Sequence, residues 1–229
     1  MKNKLLLIPG LMCNEKLWSK LKLKNYETLT IPKEDSFEKM IEKLDIQISK
    51  HENKINLIGF SMGGYLALKY MIANPHKINK ALIIASGMNQ LNDNEVQARI
   101  KALDLLKRYK EYSLSNSIIK DLLENKDNIT NINLIQDMFK DLGLETYKQQ
   151  LQATLERKCL YDDLKSINVP TLFFYSNKDK LVKKDLINRL CEEKKSFDNV
   201  VINSCSHMLT LEYEEELANI IKKFFTTEN

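Results

Sequence analysis

Six short apolar runs are spaced along the chain, and they predict the strands of a single sheet. The runs cover residues 4–8, 26–30, 55–59, 80–85, 171–176 and 199–203. They show little alternation of apolar and polar positions, which is typical of parallel strands buried on both faces. Amphipathic helical patterns separate most of them, at residues 36–50, 61–74, 183–193 and 214–225. This alternation predicts an α/β fold with a doubly wound, mostly parallel sheet of about six strands.

Residues 88–163 interrupt the alternation, because they contain helical patterns and no strand run. The patterns lie at residues 95–109, 116–125, 133–142 and 146–158. A segment of roughly 75 residues is too long for an ordinary connection between two strands, so we expect an all-helical cap over one end of the sheet. The chain would then divide into a core of residues 1–87 and 164–229 and a cap of residues 88–163. The alternative is a helical domain with no role over any site.

Composition supports a globular protein and argues against two other classes. Of the 229 residues, 43% are hydrophobic and 29% are charged, which is typical of a soluble domain. The net charge is +4, and the cations are 31 lysines and only 4 arginines, spread along the chain. Nucleic-acid binders usually carry clustered basic stripes with arginine forks, so we expect no nucleic-acid partner. No stretch approaches the roughly 20 apolar residues of a membrane-spanning helix, so no membrane span is expected.

The sequence predicts neither a disulfide framework nor a metal site. The cysteines, at positions 13, 159, 191 and 205, share no Cys-x-x-Cys spacing. The histidines, at positions 51, 76 and 207, have no metal-ligand spacing, and we expect no metal or other cofactor. The apolar run near the start of the chain is about eight residues long, is interrupted by Pro9 and Gly10, and lacks a small-x-small cleavage site. We therefore expect a cytoplasmic protein.

The third apolar run leads into Gly59-Phe60-Ser61-Met62-Gly63, a Gly-x-Ser-x-Gly motif between a predicted strand and a predicted helix. In this context the serine occupies a sharp strand-to-helix turn that lifts its hydroxyl off the carboxyl end of the sheet. Glycines at the flanking positions remove side chains that would collide at so tight a bend. Ser61 is therefore the candidate nucleophile.

A serine hydroxyl is a poor nucleophile near neutral pH unless a base removes its proton. His207 follows the last predicted strand, so it should lie at the same edge of the sheet as Ser61. His51 ends a Lys/Glu-rich helix and His76 follows Pro75 beyond the next helix, positions that favour capping or solvent contact. His207 is the candidate base, and a helix-capping histidine is the alternative.

A catalytic histidine needs a carboxylate that orients its ring and stabilises the imidazolium. Asp179 lies three residues beyond the fifth apolar run, again at the carboxyl edge of the sheet. Asp185 lies deeper in the following helix, and Asp162 and Asp163 precede the strand and start from its other end. Asp179 is therefore the candidate, and the order serine, aspartate, histidine matches that of α/β-hydrolases.

The oxyanion of an acyl-transfer reaction needs two backbone donors. One should be the N–H of Met62, which follows the nucleophile at a helix N-terminus where the dipole favours negative charge. The other should come from the loop after the first strand, where Gly10 allows a close backbone approach and Leu11 supplies the N–H. The side chains of Leu11, Trp18 and Met208 are the expected substrate contacts.

These motifs resemble those of the α/β-hydrolase superfamily, and the resemblance covers nearly the whole chain. The matching segments are PGLMCNEKLW (9–18), GFSMGG (59–64), NKDKLV (177–182) and CSHMLTLE (205–212). The helical insert falls where that superfamily carries its cap. Many relatives have His-Gly where this chain has Pro9-Gly10, and the second strand run is followed by IPKEDSF rather than a glycine-rich turn. The usual leading hairpin also has no counterpart, so a reduced sheet is expected.

The resemblance and the three candidate side chains predict a serine hydrolase acting on a small-molecule carboxylic ester. Thioester, lactone, amide and C–C bond hydrolysis stay open as alternatives, as does a non-catalytic ligand-binding protein on the same fold.

Related methyl-ester esterases dock an acyl-carrier protein, and the first cap helix has a basic composition that would suit one. Over residues 99–110 the cations are Arg99, Lys101, Lys107, Arg108 and Lys110, against Asp104 alone. Positive and negative charges balance over residues 95–165, so a solvated helix face is the preferred interpretation.

Overall fold

The computed structural model describes residues 3–108 and 113–226. Tyr109, which ends the first predicted cap helix, and Lys110, which follows it, lie outside the described residues. The strands are β1 (Leu5–Ile8), β2 (Tyr26–Thr28), β3 (Ile55–Phe60), β4 (Ile78–Ile84), β5 (Thr171–Ser176) and β6 (Phe197–Ile202). Each predicted run thus overlaps a strand, although β2 ends two residues early and β4 and β6 each begin two residues before the predicted start.

The helices alternate with the strands outside the predicted cap. They are α1 (Phe37–Ile48), α2 (Met62–Ala73), α3 (Asp93–Leu106), α4 (Asn116–Asp121), α5 (Ile129–Leu155), α6 (Tyr161–Lys165), α7 (Asp185–Glu193), α8 (Leu209–Glu212) and α9 (Glu214–Thr226). Side-chain caps help to define their starts: the hydroxyl of Ser36 accepts from the Lys39 N–H at α1, and Asn92 forms a capping box with Glu95 at α3. None of these helices, within the described part of the chain, is long and apolar enough to cross a membrane.

The strands form one sheet in the order β2-β1-β3-β4-β5-β6, and every neighbouring pair is parallel. The chain leaves β1 toward β2 on one side and leaves β3 toward β4 on the other. The loops after β1 and β3 therefore diverge, and such a switch point opens a crevice at the carboxyl ends of the strands. The predicted α/β fold with about six strands is confirmed.

Burial follows the sheet order. Every residue of β1, β3 and β5 is buried, as expected for strands covered by helices on both faces. Helix α2 packs against β1, β3 and β4, and α1 packs against α2. At the outer edge, Val200 and Val201 of β6 stay 38% and 44% exposed because no strand follows them.

The segment between β4 and β5 is helical throughout its regular elements, α3 to α6. Gly143, within α5, has φ 77° and ψ 167°, and this break separates the two helical patterns predicted there. Helix α3 packs against α5. The predicted boundary after residue 163 falls inside α6, and the division into core and cap stays a prediction.

Candidate active site

A single residue, Ser61, separates the end of β3 from the start of α2. Its φ of 51° and ψ of −118° cost a residue with a Cβ about 1–3 kcal/mol. The neighbouring glycines are needed for space: a Cβ on Gly59 would lie 2.4 Å from the carbonyl oxygen of Gly63. A Cβ on Gly63 would lie 2.1 Å from the carbonyl oxygen of Pro9. The turn can form because these two positions carry no side chain.

The structure brings Ser61, His207 and Asp179 together. The Nε2 atom of His207 lies 2.9 Å from Oγ of Ser61, and its Nδ1 atom lies 2.7 Å from Oδ2 of Asp179. The other carboxylate oxygen of Asp179 accepts the Leu181 N–H at 2.9 Å. The side chains of His207 and Asp179 are only 7% and 2% exposed. Water is thus largely excluded from their hydrogen bond.

The partners of His207 determine which ring nitrogen carries the proton. An ionised carboxylate can only accept, so Nδ1 donates to Asp179 and Nε2 is left as the acceptor facing the Ser61 hydroxyl. This arrangement can remove the serine proton while the carboxylate stabilises the resulting imidazolium. The ring of Phe60 packs at 5.3 Å from the imidazole ring and limits its movement.

Two contacts hold the loop that carries His207. The hydroxyl of Ser176, at the end of β5, donates to the carbonyl oxygen of Ser206 at 2.6 Å. The carbonyl oxygen of Leu122, just after α4, accepts the backbone N–H groups of His207 and Met208 at 2.9 and 3.2 Å. The predicted cap therefore helps to position the histidine.

The predicted oxyanion donors lie in the two loops beside Ser61. The loop after β1 comes close to the serine, since a Cβ on Gly10 would lie 3.2 Å from Cβ of Ser61. Over residues 3–108 and 113–226, the N–H groups of Leu11 and Met62 have no recorded protein acceptor. The next N–H along the loop, that of Met12, donates to Oε1 of the buried Gln150 in α5 at 2.8 Å.

A cavity of about 370 Å³ opens beside Ser61 and His207, between the sheet edge and helices α3 to α5. Its apolar wall includes Leu11 and Met208, two of the three expected substrate contacts. Trp18, the third, does not line this cavity. Its side chain is 1% exposed and belongs to the hydrophobic core, so the expectation for Trp18 is corrected.

Cys13 also lines the cavity, and its chemistry distinguishes it from Ser61. Burial raises the pKa of the Cys13 thiol to about 12. The thiol thus stays protonated near neutral pH, where only a thiolate would be an effective nucleophile. Its sulfur lies 3.5 Å from the carbonyl oxygen of Leu11, to which the thiol donates.

The remaining histidines lie away from the cavity. His51 follows α1 and its Nε2 lies 3.5 Å from a carboxylate oxygen of Glu27, and His76 lies in a short 3₁₀ turn before β4. Neither lines the cavity beside Ser61.

The alternative aspartates lie elsewhere. Asp185 begins α7, and Asp162 lies in α6 with its carboxylate paired to Lys165. Only Asp179, among the aspartates considered, contacts the ring of His207.

Comparison with known families decides where this chain belongs. The family model described as serine aminopeptidase, S33, matches residues 33–214, which include all three candidate side chains. The chain belongs to this family. Together with the fold, the match places this S33-family protein in the α/β-hydrolase superfamily and confirms the resemblance seen in the sequence.

Two kinds of curated relative are similar to this S33-family protein. It is 29% identical over 215 residues to a pimeloyl-[acyl-carrier protein] methyl ester esterase of Wigglesworthia glossinidia brevipalpis, covering 88% of this chain and 80% of the relative. It is 24% identical over 194 residues to a 2-hydroxy-6-oxononadienedioate/2-hydroxy-6-oxononatrienedioate hydrolase of Cupriavidus pinatubonensis, covering 81% of this chain. The chain spans only 64% of the length of the latter.

Solved structures support the fold. A thermophilic esterase from Thermogutta terrifontis superposes with a TM-score of 0.84 at 18% identity, covering 98% of this chain and 90% of the other. An enol-lactonase from Burkholderia xenovorans superposes with a TM-score of 0.83 at 14% identity, covering 99% and 93%. At these identities the likeness shows a common architecture and not a common substrate.

Sequence reasoning missed several residues that shape the site. The cavity wall contains Arg99 and Arg157, and Gln150 and Leu122 hold the loops beside Ser61. The sequence favours a solvated face for Arg99, but its side chain donates to Thr154 of α5 and lines the cavity. No motif signals any of these four residues.

Proposed function

We propose that this S33-family protein is a serine hydrolase that cleaves the carboxylic ester of a small or medium-sized acyl substrate. The observation that carries the proposal is the hydrogen-bonded chain from Asp179 through His207 to Ser61, at the wall of a cavity. Family membership supports the same chemistry. Residues 88–163 act as a cap in this proposal, and the protein works in the cytoplasm.

In the first half of the reaction, His207 Nε2 takes the proton of Ser61 as Oγ attacks the ester carbonyl carbon. The carbonyl oxygen becomes an oxyanion, and the N–H groups of Leu11 and Met62 donate to it. Removing one donor of this kind costs about 3 kcal/mol of transition-state stabilisation. His207 then protonates the departing alcohol, and the acyl group stays on Ser61.

In the second half, a water molecule gives its proton to His207 Nε2 and attacks the acyl carbon. The same oxyanion donors act again, and His207 returns the proton to Oγ of Ser61 as the acid leaves. Asp179 stays ionised throughout, because its role is to orient the ring and balance the imidazolium charge.

The relatives' names bear on the choice among ester substrates. One relative is named as an acyl-carrier-protein methyl ester esterase, which supports ester chemistry. A carrier protein would need an extended basic face, yet Arg99 faces the cavity and Lys107 is paired with Asp104. Lys101 and Arg108 are left as exposed cations of this segment. We therefore favour a free small-molecule ester. Methyl esters offered free and on the carrier protein would distinguish the two, since only a carrier-dependent enzyme requires the second.

Turnover of 4-nitrophenyl butyrate tests the proposal. We expect the wild type to hydrolyse it and Ser61→Ala to lose at least about 10⁴-fold in kcat, as other enzymes do when a serine nucleophile is removed. Ser86→Ala is the matched control: Ser86 also lines the cavity, but its buried hydroxyl has no partner among the described residues. Equal activity in wild type and Ser61→Ala would contradict the proposal.

A further inference from the structure

The cavity beside Ser61 carries more positive than negative charge. Its charged wall consists of three cations, Arg99, Arg157 and Lys183, and one carboxylate, Glu95. Lys183 and Glu95 form an ion pair of 2.5 Å, so the single carboxylate already has a partner. The two guanidinium groups are left without an ion pair to any carboxylate in the part of the chain that the structure describes.

Arg99 is held in place with one end of its guanidinium group unused. Its Nε donates to the hydroxyl of Thr154 at 3.0 Å, and its Nη1 donates to the carbonyl oxygen of Glu95 at 3.2 Å. These bonds come from α5 and α3, so both helices fix the group. Its Nη2 atom has no protein acceptor within residues 3–108 and 113–226. The Nη2 atom of Arg99 can therefore donate to an anionic ligand in the cavity.

Arg157 lines the same cavity as Arg99, and the charges of the two groups repel. Its Nη2 donates to the carbonyl oxygen of Gly87 at 2.5 Å, and its guanidinium group stacks 4.4 Å from the ring of Tyr65. Its Nε is buried and has no acceptor among the described residues. Burial, followed by smaller effects that include repulsion from Arg99, lowers the pKa of Arg157 to about 10, so the group stays charged at neutral pH.

Two partly buried cations that line one cavity are unfavourable unless an anion joins them, because partly desolvated charge needs compensation. A carboxylate suits the site, since its two oxygens match the fork of a guanidinium group. The apolar residues Leu114, Ile118 and Leu151 also line the cavity and would cover a hydrocarbon chain.

We propose that the substrate is an ester with a free carboxylate at its far end, which Arg99 binds with Arg157 beside it while the ester carbonyl lies at Ser61. This inference rests on the proposed function for the role of Ser61. The anion site itself rests on Arg99 and Arg157, and it can be tested separately. No bond forms or breaks at the two arginines, whose role is recognition.

A matched pair of substrates tests the inference. 4-Nitrophenyl hydrogen adipate carries the free carboxylate, and 4-nitrophenyl methyl adipate has the same chain with that end neutral. We expect wild type to prefer the first in kcat/KM and Arg99→Gln to reduce the preference about 10- to 100-fold, mainly through KM. Arg99→Lys should keep an intermediate preference because it retains the charge and loses the fork. Lys101→Gln removes the same charge from an exposed position of α3 and should leave the preference unchanged.

Binding of adipate, measured by calorimetry, separates the two proposals. If neither ester is hydrolysed but adipate binds wild type and not Arg99→Gln, the anion site stands and the proposed hydrolysis fails. If both esters are hydrolysed with no preference, and adipate binding does not depend on Arg99, the hydrolase proposal stands and the anion site is overturned. Thermal unfolding of each variant checks its fold, and Arg99→Lys replaces Arg99→Gln if the latter does not fold.

Discussion

Ser61 holds a backbone conformation that its own side chain disfavours. Its φ of 51° lies in the left-handed region, where a Cβ is strained. The N–H of Ser61 donates to the carbonyl oxygen of Ile84 at 2.9 Å, and its carbonyl oxygen accepts the N–H groups of Gly64 and Tyr65 in α2 at 2.9 and 3.2 Å. The surrounding bonds thus maintain a turn that directs the hydroxyl toward His207.

This strain predicts that two inactive variants of Ser61 differ in stability. Ser61→Gly removes the Cβ and relieves about 1–3 kcal/mol of strain in the folded state. Glycine also has more conformational freedom in the unfolded chain, which offsets about 0.4–1 kcal/mol of that gain in stability. Ser61→Ala keeps the strain. We expect Ser61→Gly to be more stable than Ser61→Ala by about 1 kcal/mol in chemical denaturation. Equal or reversed stabilities would show that the turn is not strained.

Helix α5 connects the predicted cap to the loop after β1 through one buried hydrogen bond. The acceptor is Oε1 of Gln150 and the donor is the N–H of Met12, a residue that itself has a positive φ of 54°. Because Leu11 immediately precedes Met12, this bond sets the position of a proposed oxyanion donor. Gln150 is thus a positioning residue and not a catalytic one.

Removing this acceptor should affect both stability and rate. Gln150→Leu leaves the Met12 N–H unpaired, which costs about 1–3 kcal/mol of folding free energy. The displaced loop should lower kcat about tenfold or more with little change in KM, because small misplacements of transition-state donors are costly. Gln152→Leu, at an exposed position of the same helix, is the control and should change neither. A loss of stability with unchanged kcat would assign Gln150 a purely structural role.

At the scale of the whole molecule, the sheet topology explains why much of the site could be predicted. Parallel strands bring their carboxyl ends to one edge, so residues that follow β3, β5 and β6 must lie near one another. The positions of Ser61, Asp179 and His207 after those strands were therefore readable from the apolar runs. His207 and Ser61 are 146 positions apart in sequence and 2.9 Å apart in the fold.

The rest of the site could not be predicted because it depends on how helices pack. Trp18 lies in a segment that matches the superfamily after the first strand, yet core packing buries it. The inward direction of Arg99 depends on Thr154 of α5, and the partner of Met12 depends on the position of Gln150. These contacts join elements whose relative placement no local pattern specifies.

Folding should create the reactivity of Ser61, since the hydroxyl gains a base only when distant segments meet. A fluorophosphonate probe forms a covalent bond with such an activated serine, and mass spectrometry of the digested protein locates the adduct. We predict one adduct, on Ser61, in the native protein, and none in the protein unfolded in urea or in the native His207→Ala variant. An adduct at another residue, or no adduct on native protein that retains its fold, would contradict the central claim that Ser61 is the activated nucleophile.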